Sequence, residues 1–479
     1  MSRTKKHSVL TVLLSLVLLV FAVSCNSEAQ VPSAGRTNVE SASPEDALVY
    51  YYISRDYKMT DSQVESALSD ALGFMDGSSG TLTRQASHDY EMAYAEGAKG
   101  LTDEYSLTFY DYEIQTEGQG VRHALVTNDR RIGPVLCVVD GELDRSMFFI
   151  DAFLEAASMY ADSIGDSWSA ITEEDVSAFR EKYSGATEDS KLVSYFWLSE
   201  PVADPGYDFD AVLSSEWGQE NPFNLAVQAY LGHNYPVGCA NLAVAMICSK
   251  YNYPTSISDN NILTSLQSHS FNIWNGWNGE IAWDKIHAMD ETENGWEVEN
   301  SQPEAGDQTS AVASLSAFLL ELGQKTKSVY GTSGTGTDVG NVLSVLSNMG
   351  YTMDKSGKEY GGKVYDWSFE NIRSSLSNGR PVLAYDVNHM FIVDGMFRGT
   401  SDLYPVLGWY VAAEPVAKVE NMRYVHMNFG WNGYFNGWYN ENLVKYALGI
   451  IEQDAEKDPG DYGYPKVPTG LILNLRPAQ

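Results

Sequence analysis

The chain is short of positive charge. Its 479 residues carry 31 Lys and Arg against 64 Asp and Glu, a formal net charge of −33. Binding a phosphate backbone, or adsorbing on anionic lipid, needs the opposite surplus, so nucleic acid is excluded as a partner. Cysteine is also scarce: Cys25, Cys137, Cys239 and Cys248 are all there are. Four cysteines do not make a disulfide scaffold for a chain of this size, which is long enough for two or three domains with their own cores. The eight histidines are scattered, with no Cys-x-x-Cys or His-Glu-x-x-His spacing. No metal and no cofactor is expected on that ground. Beyond the N-terminal apolar run, no stretch approaches the length of a membrane-spanning helix.

What is there begins with an address. Residues 1–24 have a basic start (Arg3, Lys5, Lys6) and an apolar run from Val9 to Val23, the pattern of an export signal. The run ends Ala22-Val23-Ser24-Cys25. A small residue directly before that cysteine resembles a bacterial lipoprotein signal. This implies lipidation of Cys25 and anchoring in the bacterial envelope, at the outer membrane or cell surface. Ordinary secretory cleavage nearby is the alternative. Residues 25–46, rich in Ser, Glu, Pro and Ala, read as a flexible tether. With Cys25 lipidated, three thiols remain and at least one is unpaired, which in an exported protein points to chemistry.

Residues 47–215 read as a separate α+β region. Val64, Leu68 and Leu72 have helical spacing over 61–72, with Thr60 or Asp61 as the cap. Segments 105–109, 112–116, 123–127 and 134–139 read as strands, and 148–163 as an amphipathic helix. A Pro/Asp/Gly-rich break over 201–208 closes the region, and a maturation cut is expected between about Lys182 and Trp217.

The most informative stretch is Trp217 to Pro254. After Gly238 the residues Cys239, Ala240, Leu242, Ala243, Val244, Ala245, Met246 and Ile247 predict a buried helix with Cys239 in its first turn. The unpaired N–H groups there favour an anion and would lower the thiol pKa. Cys137 and Cys248 sit in apolar surroundings and read as core. About 150 residues after Cys239 comes Pro381 to Gly395, which reads as strand, turn, His389 and strand. Tyr424 to Gly433 follows, a strand with Asn428 ending in a Gly-rich aromatic turn. The order Cys, His, Asn is that of papain-like thiol proteases. The loop Tyr330 to Thr337 is rich in Gly but lacks the Gly-Lys-Ser/Thr ending of a phosphate cradle.

Several ordered motifs resemble the streptopain-like cysteine peptidases. They are Trp217-Gly218-Gln219 with Pro222-Phe223-Asn224, Gly238-Cys239, Lys250-Tyr251 with Tyr253-Pro254, Gly379-Arg380-Pro381-Val382, His389 to Gly395, and His426 to Gly433. The segment 123–143 is similar to that family's propeptide. The resemblance implies an α+β fold, with a papain-like two-lobed catalytic domain over 216–479 preceded by a small inhibitory prodomain over 47–215. It implies Cys239 as nucleophile, His389 as proton acceptor, Gln219 with backbone N–H as oxyanion hole, and Asn428 beside the histidine. A resting thiolate–imidazolium pair is expected from the same chemistry. Ser333, Gly334, Asn388, Phe429 and Trp431 are expected at the substrate. Thr332, Asn388 and Phe429 depart from the family pattern. The implied activity is an exported endopeptidase zymogen acting on protein or peptide substrates, with its own prodomain as inhibitor. The rival is a non-proteolytic surface lipoprotein that binds host protein or glycan through its aromatic turns.

Overall fold

The computed structural model describes residues 39, 41–75, 77–92, 102–116, 120–184, 193–292, 295–296, 307–354, 364–407, 410–457 and 469–478. The signal segment 1–24, Cys25, most of the tether, and residues 185–192 of the expected processing linker lie outside them.

Apolar spacing sets the first elements. Val64, Leu68, Ala71, Leu72 and Met75 line one buried face of the Asp61–Met75 helix. Thr60 caps it, with its N–H and hydroxyl both bonded to the Gln63 side chain. The Phe148–Ser169 helix runs six residues past the expected 163, because Gly165 and Trp168 continue its buried face. The expected strands at 105–109 and 112–116 are one strand, Ser106–Gln115. The tether is shorter than 25–46: Ser41 bridges Lys418, and Ser43 caps a helix over Pro44–Ser54.

One sheet of thirteen strands organises residues 41–479, which form one compact unit. In chain order these are β1 (Thr81–Glu91), β2 (Ser106–Gln115), β3 (Arg122–Thr127), β4 (Val135–Asp140), β5 (Val193–Leu198), β6 (Val202–Ala203) and β7 (Val364–Tyr365). Then come β8 (Val382–Tyr385), β9 (Met390–Leu407), β10 (Tyr410–Val411), β11 (Ala417–Asn428), β12 (Gly437–Asn440) and β13 (Gly470–Ile472). The order across the sheet is β1-β2-β3-β4-β12-β11-β9-β8-β13-β7, with β5, β6 and β10 pairing along β9.

The junction β4·β12 joins the expected prodomain to the expected catalytic region, through Val139 to Gly437, Val138 to Trp438 and Cys137 to Tyr439. The two regions therefore share a sheet, and they share a core. Phe149 and Phe153 of the 148–169 helix pack with Phe391, Phe429, Tyr439 and Leu443. A second core is mainly helical: Cys239–Lys250, Asp307–Lys325 and Val339–Asn348 pack against Leu383, Tyr385 and Ile392 of the sheet. The class is α+β, and these two cores make two lobes with the site between them, while a third core packs the Asp61–Met75 helix on β2, β3 and β4.

The helix Glu441–Lys457 takes in the first part of Asp454 to Asp461, an acidic stretch whose sequence by itself reads as turns. Among the described residues, no helix is long and apolar enough to cross a membrane.

Candidate active site

Cys239 is the first residue of the Cys239–Lys250 helix. Gly238 before it has φ 92°, and a Cβ there would lie 3.0 Å from Thr335 Cγ2 and 3.1 Å from the Thr335 carbonyl. Only glycine lets the Gly334–Gly336 strand come so close. Thr335 holds that contact, its hydroxyl donating to the Pro236 carbonyl at 2.6 Å. The expected small-residue loop is thus a two-stranded hairpin, Val329–Gly331 with Gly334–Gly336, clamped beside the cysteine.

His389 sits where β8 turns into β9. Asp386 makes that turn: its Oδ1 accepts from the N–H groups of Asn388 and His389, both at 2.7 Å, and its own N–H donates to the His389 carbonyl at 2.9 Å. Aspartate is favoured in such turns because its side chain mimics a backbone acceptor. The imidazole is buried, 4.6 Å from the Trp431 ring centroid. Its Nε2 meets the Phe429 carbonyl at 2.8 Å. A carbonyl only accepts, so Nε2 carries the proton and Nδ1 is left as the acceptor.

The two groups come together through the start of β9. Met390, the residue after His389, lines the same gap as Cys239, and its main-chain N–H favours the Cys239 thiolate, as do the N–H groups at the helix start. Burial outweighs them, aided by the Asp386 carboxylate, and pushes the Cys239 thiol up to about 11. Burial likewise pulls His389 down to about 4, against the Phe429 bond. Burial therefore works against the expected resting thiolate–imidazolium pair at both partners. Cys239, Met390, Asn428, Phe429 and Gly430 line one tight gap with no room for a water molecule.

In front lies a cleft of about 490 Å³. Gln219, Ser333, Gly334 and Trp431 line it, together with Glu220, Pro236 and Asn432. So do Asp144 and Met147 from the expected prodomain. Phe148 follows, its ring 6.1 Å from the imidazole and 6.2 Å from Trp431. Asn388 is exposed.

Two expected residues stand differently. The Asn428 side chain does not orient the imidazole here: its Nδ2 donates to the Ser215 carbonyl at 2.8 Å and its Oδ1 accepts from the Gly430 N–H at 3.1 Å. Phe429 is buried, its ring stacked on Trp431 at 4.9 Å, packed on Phe149 at 4.8 Å and 6.1 Å from the imidazole, so it backs the histidine with its ring and holds it with its carbonyl. Sequence reasoning missed Asp386, the Phe429 carbonyl and Phe148. The Asp-x-Asn turn signal at 386–388 was legible. The other two depend on the tertiary fold.

Residues 217–439 match the model of the Peptidase C10 family. None of the curated proteins compared matches the chain. Among solved structures, a prointerpain A fragment of Prevotella intermedia is 14% identical, covering 81% of this chain and 98% of its own, with a TM-score of 0.40. Active wild-type interpain A cysteine protease from Prevotella intermedia is 15% identical, covering 56% and 94%, with a TM-score of 0.32. Over residues 217–439 the chain belongs to the peptidase C10 family, that of streptopain, and it is a cysteine-type peptidase.

Proposed function

We propose that the chain is the precursor of an exported cysteine endopeptidase whose nucleophile is Cys239 and whose proton carrier is His389. One observation carries the reading: Cys239 lines the same tight gap as Met390, the residue after His389, and as Phe429, whose carbonyl holds the imidazole. The thiol proton goes to Nδ1, the acceptor left by the Nε2 bond to Phe429. The sulfur attacks the substrate carbonyl. The resulting oxyanion is met by the Gln219 side-chain amide and the Cys239 N–H. The imidazolium then protonates the leaving amine, and water hydrolyses the thioester. The Phe429 carbonyl does the orienting expected of Asn428. Ser333, Gly334 and Trp431 border the substrate, with Asn388 at the rim.

Residues 47–215 act as the inhibitory prodomain. Asp144 and Met147 in the cleft, and Phe148 against the imidazole, support that role. Export by the 1–24 segment and a lipid anchor on Cys25 complete the reading. In that setting the substrates are extended protein or peptide segments outside the cell.

The test is hydrolysis by the processed chain. Cys239→Ala and His389→Ala should each fold and lose hydrolysis by at least about 10⁴-fold. Hydrolysis retained in Cys239→Ala overturns the reading. Mass spectrometry of the mature N-terminus tests the processing and the lipid together.

A further inference from the structure

The segment from Leu213 to Gln219 forms neither helix nor strand, yet every second residue is tied down. The Leu213 N–H donates to Asp394 Oδ2 at 2.9 Å. The Ser215 carbonyl accepts from Asn428 Nδ2 at 2.8 Å. The Trp217 carbonyl accepts from the Asn432 N–H at 3.0 Å, and its indole donates to Asp290 Oδ1 at 2.7 Å. The Gln219 carbonyl accepts from the Val237 N–H at 2.9 Å. A period of two is that of an extended chain whose alternate residues face one way. Of the residues between, Ser214 and Glu216 are exposed, and Gly218 is buried against Asn432. The segment is a strap, held by the sheet lobe at one end and by the helical lobe at the other.

Asp394 is the unusual anchor. It is completely buried, and it is the extra residue of a β-bulge. Val393 pairs with Met427 and Gly395 with His426, which leaves Asp394 without a ladder partner. A bulge re-aims a side chain out of the sheet pattern. Here it sends one carboxyl oxygen to the strap and the other to His426 Nδ1, at 2.6 Å. His426 packs edge-on against Trp438, 5.3 Å away. The strap reaches the bulge because the next residue is Gly395, where a Cβ would lie 3.0 Å from the Ala211 nitrogen. His389 stands five residues before Asp394, at the start of β9. Asn428 stands two residues after His426, at the end of β11. One carboxyl thus joins the strand that begins beside His389, the strand that ends at Asn428, and the strap that delivers Gln219.

We propose that Asp394 is a positioning residue for the peptidase reaction: it fixes the strap to the His389 strand and so sets where Gln219 presents its amide. The inference rests on the reading of Gln219 as an oxyanion donor. Asp394 touches no substrate. It acts through Leu213 and the five-residue reach to Trp217, where Asn432 and Asp290 take over. Loss of this anchor shifts the donor relative to the nucleophile, and small misplacements of a donor are costly in rate.

The test separates oxyanion stabilisation from thiol reactivity. Full-length variants are processed with added wild-type enzyme. Then kcat and KM for a peptide substrate are measured beside the rate at which iodoacetamide alkylates Cys239. Alkylation needs the thiolate but forms no oxyanion. Asp394→Asn should lower kcat about ten-fold, leaving KM and the alkylation rate within about two-fold. In a Gln219→Ala background the same change should cost no more than about a further two-fold. Alkylation falling in step with kcat would overturn the proposal, since Asp394 would then act through His389 or the fold at large. A full ten-fold loss on top of Gln219→Ala would overturn it too. Should Asp394→Asn fail to fold, Leu213→Pro deletes the donor N–H and keeps the carboxyl. It should give the same split, and an unchanged kcat there sinks the idea. Unchanged kcat in Gln219→Ala alone removes the underlying oxyanion reading, and that outcome is distinct from the others.

Discussion

Replacing Phe149 with alanine should open the candidate site in the unprocessed chain. Phe149 belongs to the helix that covers the site, and its ring is fully buried in the opposing lobe. Its centroid lies 4.8 Å from that of Phe429, 5.7 Å from Tyr439 and 6.4 Å from Phe391. Truncating a buried Phe to Ala costs about 3–5 kcal/mol. Each 1.4 kcal/mol is about ten-fold, so the undocked population should rise by roughly 10² to just under 10⁴. The thiol stands near 11 in this form, which leaves only about 10⁻⁴ of it ionised at pH 7, and undocking the helix would admit solvent to the site. The assay is the rate of Cys239 alkylation in the unprocessed chain at neutral pH. A rise of about 10² or more is expected for Phe149→Ala. Phe318→Ala is the control. Phe318 is equally buried, but in the helical core, which contains no residue of the 148–169 helix. It should lose stability without exposing the thiol. Equal alkylation of wild type and Phe149→Ala, or equal acceleration in both variants, would refute the reasoning.

Two further outcomes follow from the same contacts. Burial lowers His389 from 6.5 to about 4, so its neutral form contributes stability above pH 6.5, and that contribution fades as pH falls towards 4, by about 3 kcal/mol at most. Cys239 has the opposite sign: raised from 9.0 to about 11, it stabilises below pH 9 and that is lost as pH rises towards 11. Thermal melts of the unprocessed chain should therefore show an acid-side loss that His389→Gln flattens, and an unflattened limb would contradict the burial argument. At the sheet junction, Gly437 has φ 154°, and a Cβ there would lie 2.1 Å from the Val138 carbonyl oxygen. Gly437→Ala should prise β4 from β12 and speed processing, measured by gel over time, and an unchanged rate would count against the shared sheet as a restraint.

Much of the site was legible because its signals are local. Gly238-Cys239 followed by apolar helix formers gives the helix start, and Asp386 to His389 between two apolar runs gives the turn. The strand through Asn428 and the Gly-rich turn after it were also plain. What was hidden depends on long-range pairing. β1 is almost wholly exposed, so no apolar alternation marks it. β9 runs eighteen residues through Gly395, Gly399 and Pro405, which read as breaks in isolation. β5 and β6 hold the linker against β9, and nothing in residues 193–203 alone names that partner. The electrostatics were misjudged for a related reason. A helix N-terminus lowers a thiol pKa, but desolvation at Cys239 outweighs its donors here, and no local sequence pattern shows that. Asn428 was read by its position in a Cys, His, Asn order, yet its amide is committed to Ser215.

The central claim is that Cys239 is the sulfur that attacks. It is tested most directly by treating the processed chain with a peptide-based epoxide and mapping the adduct by mass spectrometry. The account requires one adduct per chain, on Cys239, formed in step with the loss of hydrolysis and absent from His389→Ala at neutral pH. An adduct on Cys137 or Cys248, or hydrolysis that survives full modification of Cys239, would contradict it.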